Sequence, residues 1–390
     1  MFFKKRMFTF FSIAIKKKIT YKLRKITLVG FDKGCNFKEN ISMKKLGYLI
    51  LSLWCCVQLS TAQTNAYEVY TVAFYNLENL FDPIDDPEKN DEASPLMELK
   101  KDREGVYQQK LNKLSHVLAD IGFEKTKASP ALIGVAEVEN RRVLEDLVQT
   151  AILRPKNYGI VHADSPDARG IDVALLYQKD QFIPLSQQSH TLRIWSDKGR
   201  RIPTRSPLVV SGYLGDALLH IIVNHWPSRR GGEAKSRRFR EQAALLNKHI
   251  VDSLFLRESD AKILLMGDLN DDPINTSLKA VLKTQSSPKN LADTTFYNPF
   301  EKLFKKGYGS LGYRDNLHLF DQILLNGALL SKDKQFHSLG FFRSAVFNPD
   351  YLYLQKGRYK GYPFRSFANG NFTGGYSDHF PVYVILIKKA

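Results

Sequence analysis

Several apolar runs in this chain stop abruptly on a carboxylate, an amide or an imidazole. That pattern restricts it to folds in which strands buried on both faces end at a polar edge. Ala131 to Ala136 delivers Glu137, Leu218 to Val223 delivers Asn224 and His225, and the short strand Lys262 to Met266 delivers Gly267 and Asp268. Short continuous apolar runs of this kind read as strands covered on both sides. Val69 to Tyr75, rich in β-formers, ends on Asn76 in the same way. Five short segments hold the polar tips: Phe74–Asn79, Gly134–Asn140, Asn224–Ser228, Gly267–Asn270 and Gly375–His379.

Between the strands the period changes. Leu111, Leu114, Leu118 and Ile121 recur at three- and four-residue spacing, which predicts a helix over Tyr107 to Ile121. Phe239, Ala243, Leu246, Ile250 and Leu254 predict another over Ser236 to Phe255. Ile171 to Tyr177, Phe320 to Leu325 and Pro381 to Ile387 add strands. The acidic, proline-containing stretch Asp82 to Glu92 is expected as a solvated loop. Strands and helices mix without a solenoid repeat or a long linker, so 64–390 is read as a single catalytic domain.

The net charge of +17 suggests nucleic-acid binding until it is divided along the chain. Residues 1–62 hold 13 Lys and Arg against Asp32 and Glu39, a surplus of 11, which leaves +6 for the remainder. That excess suits an anionic substrate without proving one. The basic start Met43-Lys44-Lys45, the apolar stretch Leu46 to Leu59 and the small residues Ser60-Thr61-Ala62 have the layout of a signal peptide, 43–62, cleaved before Gln63. The chain is therefore expected to be exported, to the periplasm or beyond, with no transmembrane span in the mature part. Residues 1–42 lie upstream of a complete signal and read as a non-native or disordered extension. Cys35, Cys55 and Cys56 all precede the cleavage point. The mature chain then has no disulfide, thiolate metal site or cysteine nucleophile.

The tips carry chemistry. Asp268 and Asn270 share one face of an extended chain, where a carboxylate can deprotonate a water while the amide holds phosphate. The plain alternative is an Asx turn ending a strand. Glu137, if buried, needs a cation, an arginine or solvent; otherwise it is a surface carboxylate. Asn76 and Glu78 have the same i, i+2 relation on the first strand. His225 precedes Trp226-Pro227, where the strand must stop, and a lone histidine is often structural. The flexible basic loop after it, with Arg229 and Arg230, suits phosphate oxygens. Arg237, Arg238 and Arg240 extend it or form a solvated face. In Asp378-His379 adjacent side chains point to opposite sides, so Asp378 can bind metal while His379 contacts phosphate. Asp321 is a candidate to hold and charge an imidazole.

Asn76-x-Glu78, Glu137, Thr204-Arg205, Asn224-His225, Gly267–Asn270, Asp321 and Ser377–His379 follow one another in order over about residues 68–388. This set resembles the endonuclease/exonuclease/phosphatase superfamily, the deoxyribonuclease I-like proteins. The resemblance implies an α+β fold, two packed, mainly antiparallel β-sheets flanked by helices in a four-layer sandwich. It implies Mg²⁺ or Mn²⁺, with Ca²⁺ as a further candidate, held by Glu137 with Asp378 and the Asn76/Glu78 pair nearby. Asp268 would orient the attacking water and Asn270 the phosphate. His225 and His379 would stabilise the transition state, Asp321 would pair with His379, and Arg205 would contact phosphate. An acidic insertion after the first motif departs from the pattern of small members and leaves the role of Glu78 open.

The expected activity is that of a secreted, metal-dependent phosphodiesterase, foremost a nuclease on DNA or RNA, acting as a monomer without an obligate protein partner. Hydrolysis of phospholipid, sphingomyelin or a phosphomonoester is the alternative on the same scaffold. A non-catalytic nucleic-acid-binding module is the contrasting class.

Overall fold

The apolar runs become the central strands of two sheets of six strands each. The computed structural model describes residues 67–331 and 335–390; the expected leader at 43–62, the segment 1–42 and all three cysteines lie outside them. In chain order the strands are β1 (Tyr67–Leu80), β2 (Leu132–Val138), β3 (Tyr158–His162), β4 (Asp172–Gln178), β5 (Phe182–Ser189), β6 (Leu208–Leu214), β7 (Ala217–His225), β8 (Ile263–Asp268), β9 (Phe296–Tyr297), β10 (Asp321–Asn326), β11 (Gly340–Val346) and β12 (Val382–Lys389). The first sheet runs β11-β12-β1-β2-β4-β3 and the second β9-β10-β8-β7-β6-β5. Each contains one parallel pair at its centre, β1 with β2 and β7 with β8; the other pairings are antiparallel.

This topology places the site. The carboxyl ends of the central parallel strands, and the amino ends of their antiparallel neighbours β10 and β12, lie at the same edge. Asp268 pairs in register with His225 on one side and Asp321 on the other. In the first sheet Asn76 pairs with Ala136, one residue before Glu137.

Alternation explains why the central strands are apolar throughout. Leu264 and Met266 of β8 point into the core between the sheets, whereas Ile263 and Leu265 point outward into a second cluster. That second cluster is closed by the helix Glu233–Arg257 through Ala243, Ala244, Ile250, Val251 and Leu254. The helix Arg103–Asp120 begins four residues before the predicted start and buries Val106, Tyr107, Leu111, Leu114, Val117 and Leu118. No helix among the described residues is long and apolar enough to cross a membrane.

Several local expectations are corrected. The first strand does not stop at Asn76 but continues to Leu80 through a bulge, with Glu78 and Asn79 at φ 50° and 52°. The loop after it is not simply solvated, because Asp82 and Asp91 are buried. Arg240 is not on a solvated face: it is fully buried and paired with Asp271 at 2.6 Å.

Candidate active site

Two bulges aim the first sheet's polar groups. A regular strand would turn successive side chains to opposite faces; a bulge adds a residue and re-aims the side chains beyond it. Glu137 sits at such a register shift with φ 60°, in the left-handed region that carboxylates rarely adopt. Its Oε2 accepts from the Asn79 N–H at 3.0 Å, and its Oε1 accepts from Asn76 Nδ2 at 3.1 Å. The same amide donates to Asp268 Oδ2 at 3.2 Å. One asparagine therefore joins a carboxylate from each sheet.

Asp268 shows that the two readings of its segment are compatible. Oδ1 accepts from the Asn270 N–H at 3.0 Å, an Asx turn, and leaves Oδ2 facing the site. There it lies 3.6 Å from His225 Nε2 and 3.9 Å from His379 Nε2. Burial pushes the Asp268 carboxyl up to about 6, with the charge of His379 opposing the rise. Asn270, at φ 49°, donates through Nδ2 to the Trp226 carbonyl.

The two imidazoles are driven apart. Burial works against a charged His379, but Asp321 Oδ2, 2.7 Å from its Nδ1, and the charges of Asp268 and Asp378 raise its pKa well above the ordinary value. Burial, together with Arg205 and Arg169, holds His225 well below it. The site thus pairs an imidazolium with a neutral imidazole. Ser377 donates to the Asn76 carbonyl and accepts from the His379 N–H, fixing the last motif against β1.

Other residues have different surroundings from those expected. Beyond the bulge Glu78 is engaged inside the protein: its carboxylate accepts from the backbone and hydroxyl of Ser366 and from Arg365 Nε at 3.3 Å. Arg365 also reaches Asp378 at 3.2 Å and so bridges two carboxylates close enough for Glu78 to raise Asp378. Arg229 is anchored within the protein: Nε donates to the Asn270 carbonyl, Nη2 reaches Asp271, Asp272 and Asn275, and the guanidinium lies over Phe320 at 4.5 Å. Arg205 is buried behind His225, bonded to the Trp226 carbonyl and Asp167, with its Nε unpartnered. Asn224 turns inward to Trp226 and Asn247.

Sequence reasoning missed two cations. Arg169 is close enough to depress His225. Lys110, buried on the helix Arg103–Asp120, donates to the Glu78 carbonyl and Ser366 at 2.5 and 2.6 Å. Burial lowers its pKa to about 8. Its signal was available, since Lys110 lies in phase with Tyr107, Leu111 and Leu114 on the buried stripe.

The donor set fits a hard divalent cation. Glu137, Asp268 and Asp378 bring carboxylate oxygens and Asn76 an amide to one edge, and hard cations take oxygen ligands. Asp378 is pushed up to about 7, first by its low-dielectric surroundings and then by Glu78; a bound cation would relieve that crowding. Among the described residues, Asp268, Asp321 and His379 offer atoms within 4.8 Å of one another, whereas Glu137 and Asp378 belong to no trio that tight. Asp321 Oδ2 is already spent on His379 Nδ1, which makes that trio a charge-holding chain rather than a ligand set.

A model described as the Endonuclease/Exonuclease/phosphatase family matches residues 71–388. No curated protein matches the chain. Solved structures do. A humanized TDP2 of D. rerio has 13% identity and a TM-score of 0.48, covering 82% of this chain and 98% of the other. A mannosyl-6-phosphatase of Bacteroides thetaiotaomicron has 17% identity and a TM-score of 0.48, covering 81% and 99%. The human Nocturnin catalytic domain has 14% identity and a TM-score of 0.44, covering 82% and 96%.

Proposed function

The chain belongs to the endonuclease/exonuclease/phosphatase family, and from that premise we propose that it is an exported, divalent-metal-dependent phosphodiesterase acting on DNA or RNA. One observation carries the reading: Asp268 Oδ2 lies 3.6 Å from His225 Nε2 and 3.9 Å from His379 Nε2, and Asn76 ties it to the Glu137 carboxylate of the other sheet. In-line hydrolysis uses those groups. Asp268 takes a proton from water as its oxygen forms a bond to phosphorus. The Asn76 and Asn270 amides orient the reactants. As the opposite P–O bond breaks, the His379 imidazolium, held by Asp321, donates to the departing or non-bridging oxygen. His225 hydrogen-bonds beside it. A cation held by Glu137, Asp378 and Asn76 would withdraw negative charge from the phosphoryl oxygens. Export is supported by the leader layout at 43–62 and by the lack of cysteine after it.

The test is hydrolysis of plasmid DNA, RNA, sphingomyelin and a phosphomonoester side by side, with Mg²⁺ and with chelator. Mg²⁺-dependent cleavage of a nucleic acid, lost in a folded Asp268→Asn variant, is expected. Turnover confined to sphingomyelin or the phosphomonoester would replace the nuclease reading, and full activity in Asp268→Asn would remove that residue from the chemistry.

A further inference from the structure

A cleft of about 940 Å³ opens beside Asp378, lined by the first strand and turn of the hairpin Leu311–Tyr313/Asn316–His318, residues 311–315, and by residues between 354 and 373. Its size falls within the range of roughly 300–1,000 Å³ that encloses small organic ligands. The phosphoryl chemistry above needs none of it except Asp378 and Arg365.

The lining is aromatic and cationic. Tyr313 and Tyr359 leave 56% and 51% of their surface exposed. Each carries a guanidinium over its ring, Arg314 over Tyr313 at 5.2 Å and Arg358 over Tyr359 at 5.7 Å. Tyr362 stacks obliquely on Tyr359, with ring centres 5.7 Å apart, and lies flush on the hairpin at Gly312, where a Cβ would fall within its ring. The hairpin turn is Arg314-Asp315, both at positive φ, 47° and 62°. Such two-residue turns ordinarily take Asn-Gly; an arginine held there keeps its side chain at the cleft despite the backbone cost. The hairpin is also continuous with the catalytic edge, because Leu311 bridges His379 and the Phe380 N–H donates to the Ser310 carbonyl at 2.7 Å.

A ring with a cation beside it complements a base with a phosphate beside it. A base inside a duplex enters a cleft only after being unstacked and unpaired, at a cost of a few kcal/mol, whereas an unpaired base enters without that cost. We propose that this cleft stacks an unpaired nucleobase adjoining the scissile phosphate, on Tyr359 and Tyr313 with Arg358 and Arg314 on the flanking phosphates, so that single-stranded nucleic acid is the preferred substrate. The inference rests on the phosphodiesterase reading above and deepens it.

The experiment compares three oligomers of one length: single-stranded DNA, the same strand in a duplex, and a chain of base-free tetrahydrofuran spacers. Hydrolysis is measured with the wild type, and binding by anisotropy with Asp268→Asn. The single strand should exceed both others in kcat/KM and in affinity. Tyr359→Ala, at an exposed position that tolerates truncation, should shrink the preference for bases over spacers by about tenfold, through KM more than kcat. Tyr313→Ala should do so independently. Equal treatment of base-bearing and spacer oligomers, a duplex preference, or an unchanged ratio in both variants would overturn the base subsite while leaving the phosphodiesterase reading intact. If the wild type cleaves no oligomer at all, that reading falls, and the binding comparison alone decides the subsite.

Discussion

At the scale of single residues, the site works by pushing like groups to unlike states. His379 and His225 are both buried near Asp268, yet Asp321 raises the pKa of one while burial, reinforced by Arg205 and Arg169, lowers that of the other. Asp321→Asn removes the charge and weakens the 2.7 Å bond that raise His379. The raised pKa lets the imidazolium persist to higher pH; without Asp321 the proton leaves at lower pH, so the alkaline limb of the kcat/KM profile should move downward. An unmoved limb in a folded Asp321→Asn variant would mean that His379 is not the titrating acid. Asn76, Glu137, Asp268, Asp321 and His379 were legible because each lies at, or within a few residues of, the end or start of an apolar run, and those run ends meet at one edge. Glu78, two residues beyond Asn76, and Arg229, in the basic loop after His225, have partners inside the protein that the sequence did not announce. Their partners, Ser366 for one and Asp271, Asp272 and Asn275 for the other, lie 288 and 42 to 46 residues away and no local spacing reveals them.

At the scale of elements, the central strands were readable and the edge strands were not. Burial on both faces makes β2, β7 and β8 continuous apolar runs, whereas β5 exposes Ile183 and Leu185 at 61% and 59%, contains Pro184, and ends in the polar run Ser186–Ser189 that resembles a loop. The bulges at Glu78 and Glu137 also leave no trace in composition, since they come from mismatched register between strands. Gly134 marks how closely the two sheets meet: a Cβ there would lie 2.6 Å from Met266 Sδ, 3.1 Å from the Phe74 ring and 3.2 Å from a Val223 methyl. Gly134→Val must therefore displace the Met266 side chain and crowd Phe74 and Val223 where the sheets meet. Overpacking of this kind costs about 1–3 kcal/mol, and the urea midpoint should fall accordingly with little change in slope. Because Glu137 is three residues downstream, turnover should fall further than stability alone explains. A wild-type midpoint would mean that the sheets have slack at their centre.

At the scale of the whole molecule, the catalytic edge is also where the sandwich is least content with itself. Glu137 belongs to the first sheet and Asp268 to the second, and the Asn76 amide is the group that joins them directly. Burial and neighbouring carboxylates raise Asp268 and Asp378, so folding brings negative charge together that the unfolded chain keeps apart. A cation bound by both sheets would reverse that penalty, and a ligand that binds only the folded state stabilises it by about 2.7 kcal/mol at a hundredfold excess over its Kd. Saturating Mg²⁺ should therefore raise the melting temperature by several degrees, chelator should return it to the metal-free value, and Glu137→Gln should remove most of the difference while remaining folded. The acidic loop at Asp82–Glu92 provides the control, because its carboxylates would bind cation without linking the sheets. If Glu137→Gln keeps the full Mg²⁺ shift, the stabilising ion sits elsewhere, and the two sheets converge through Asn76, the His379–Asp321 bond and the core.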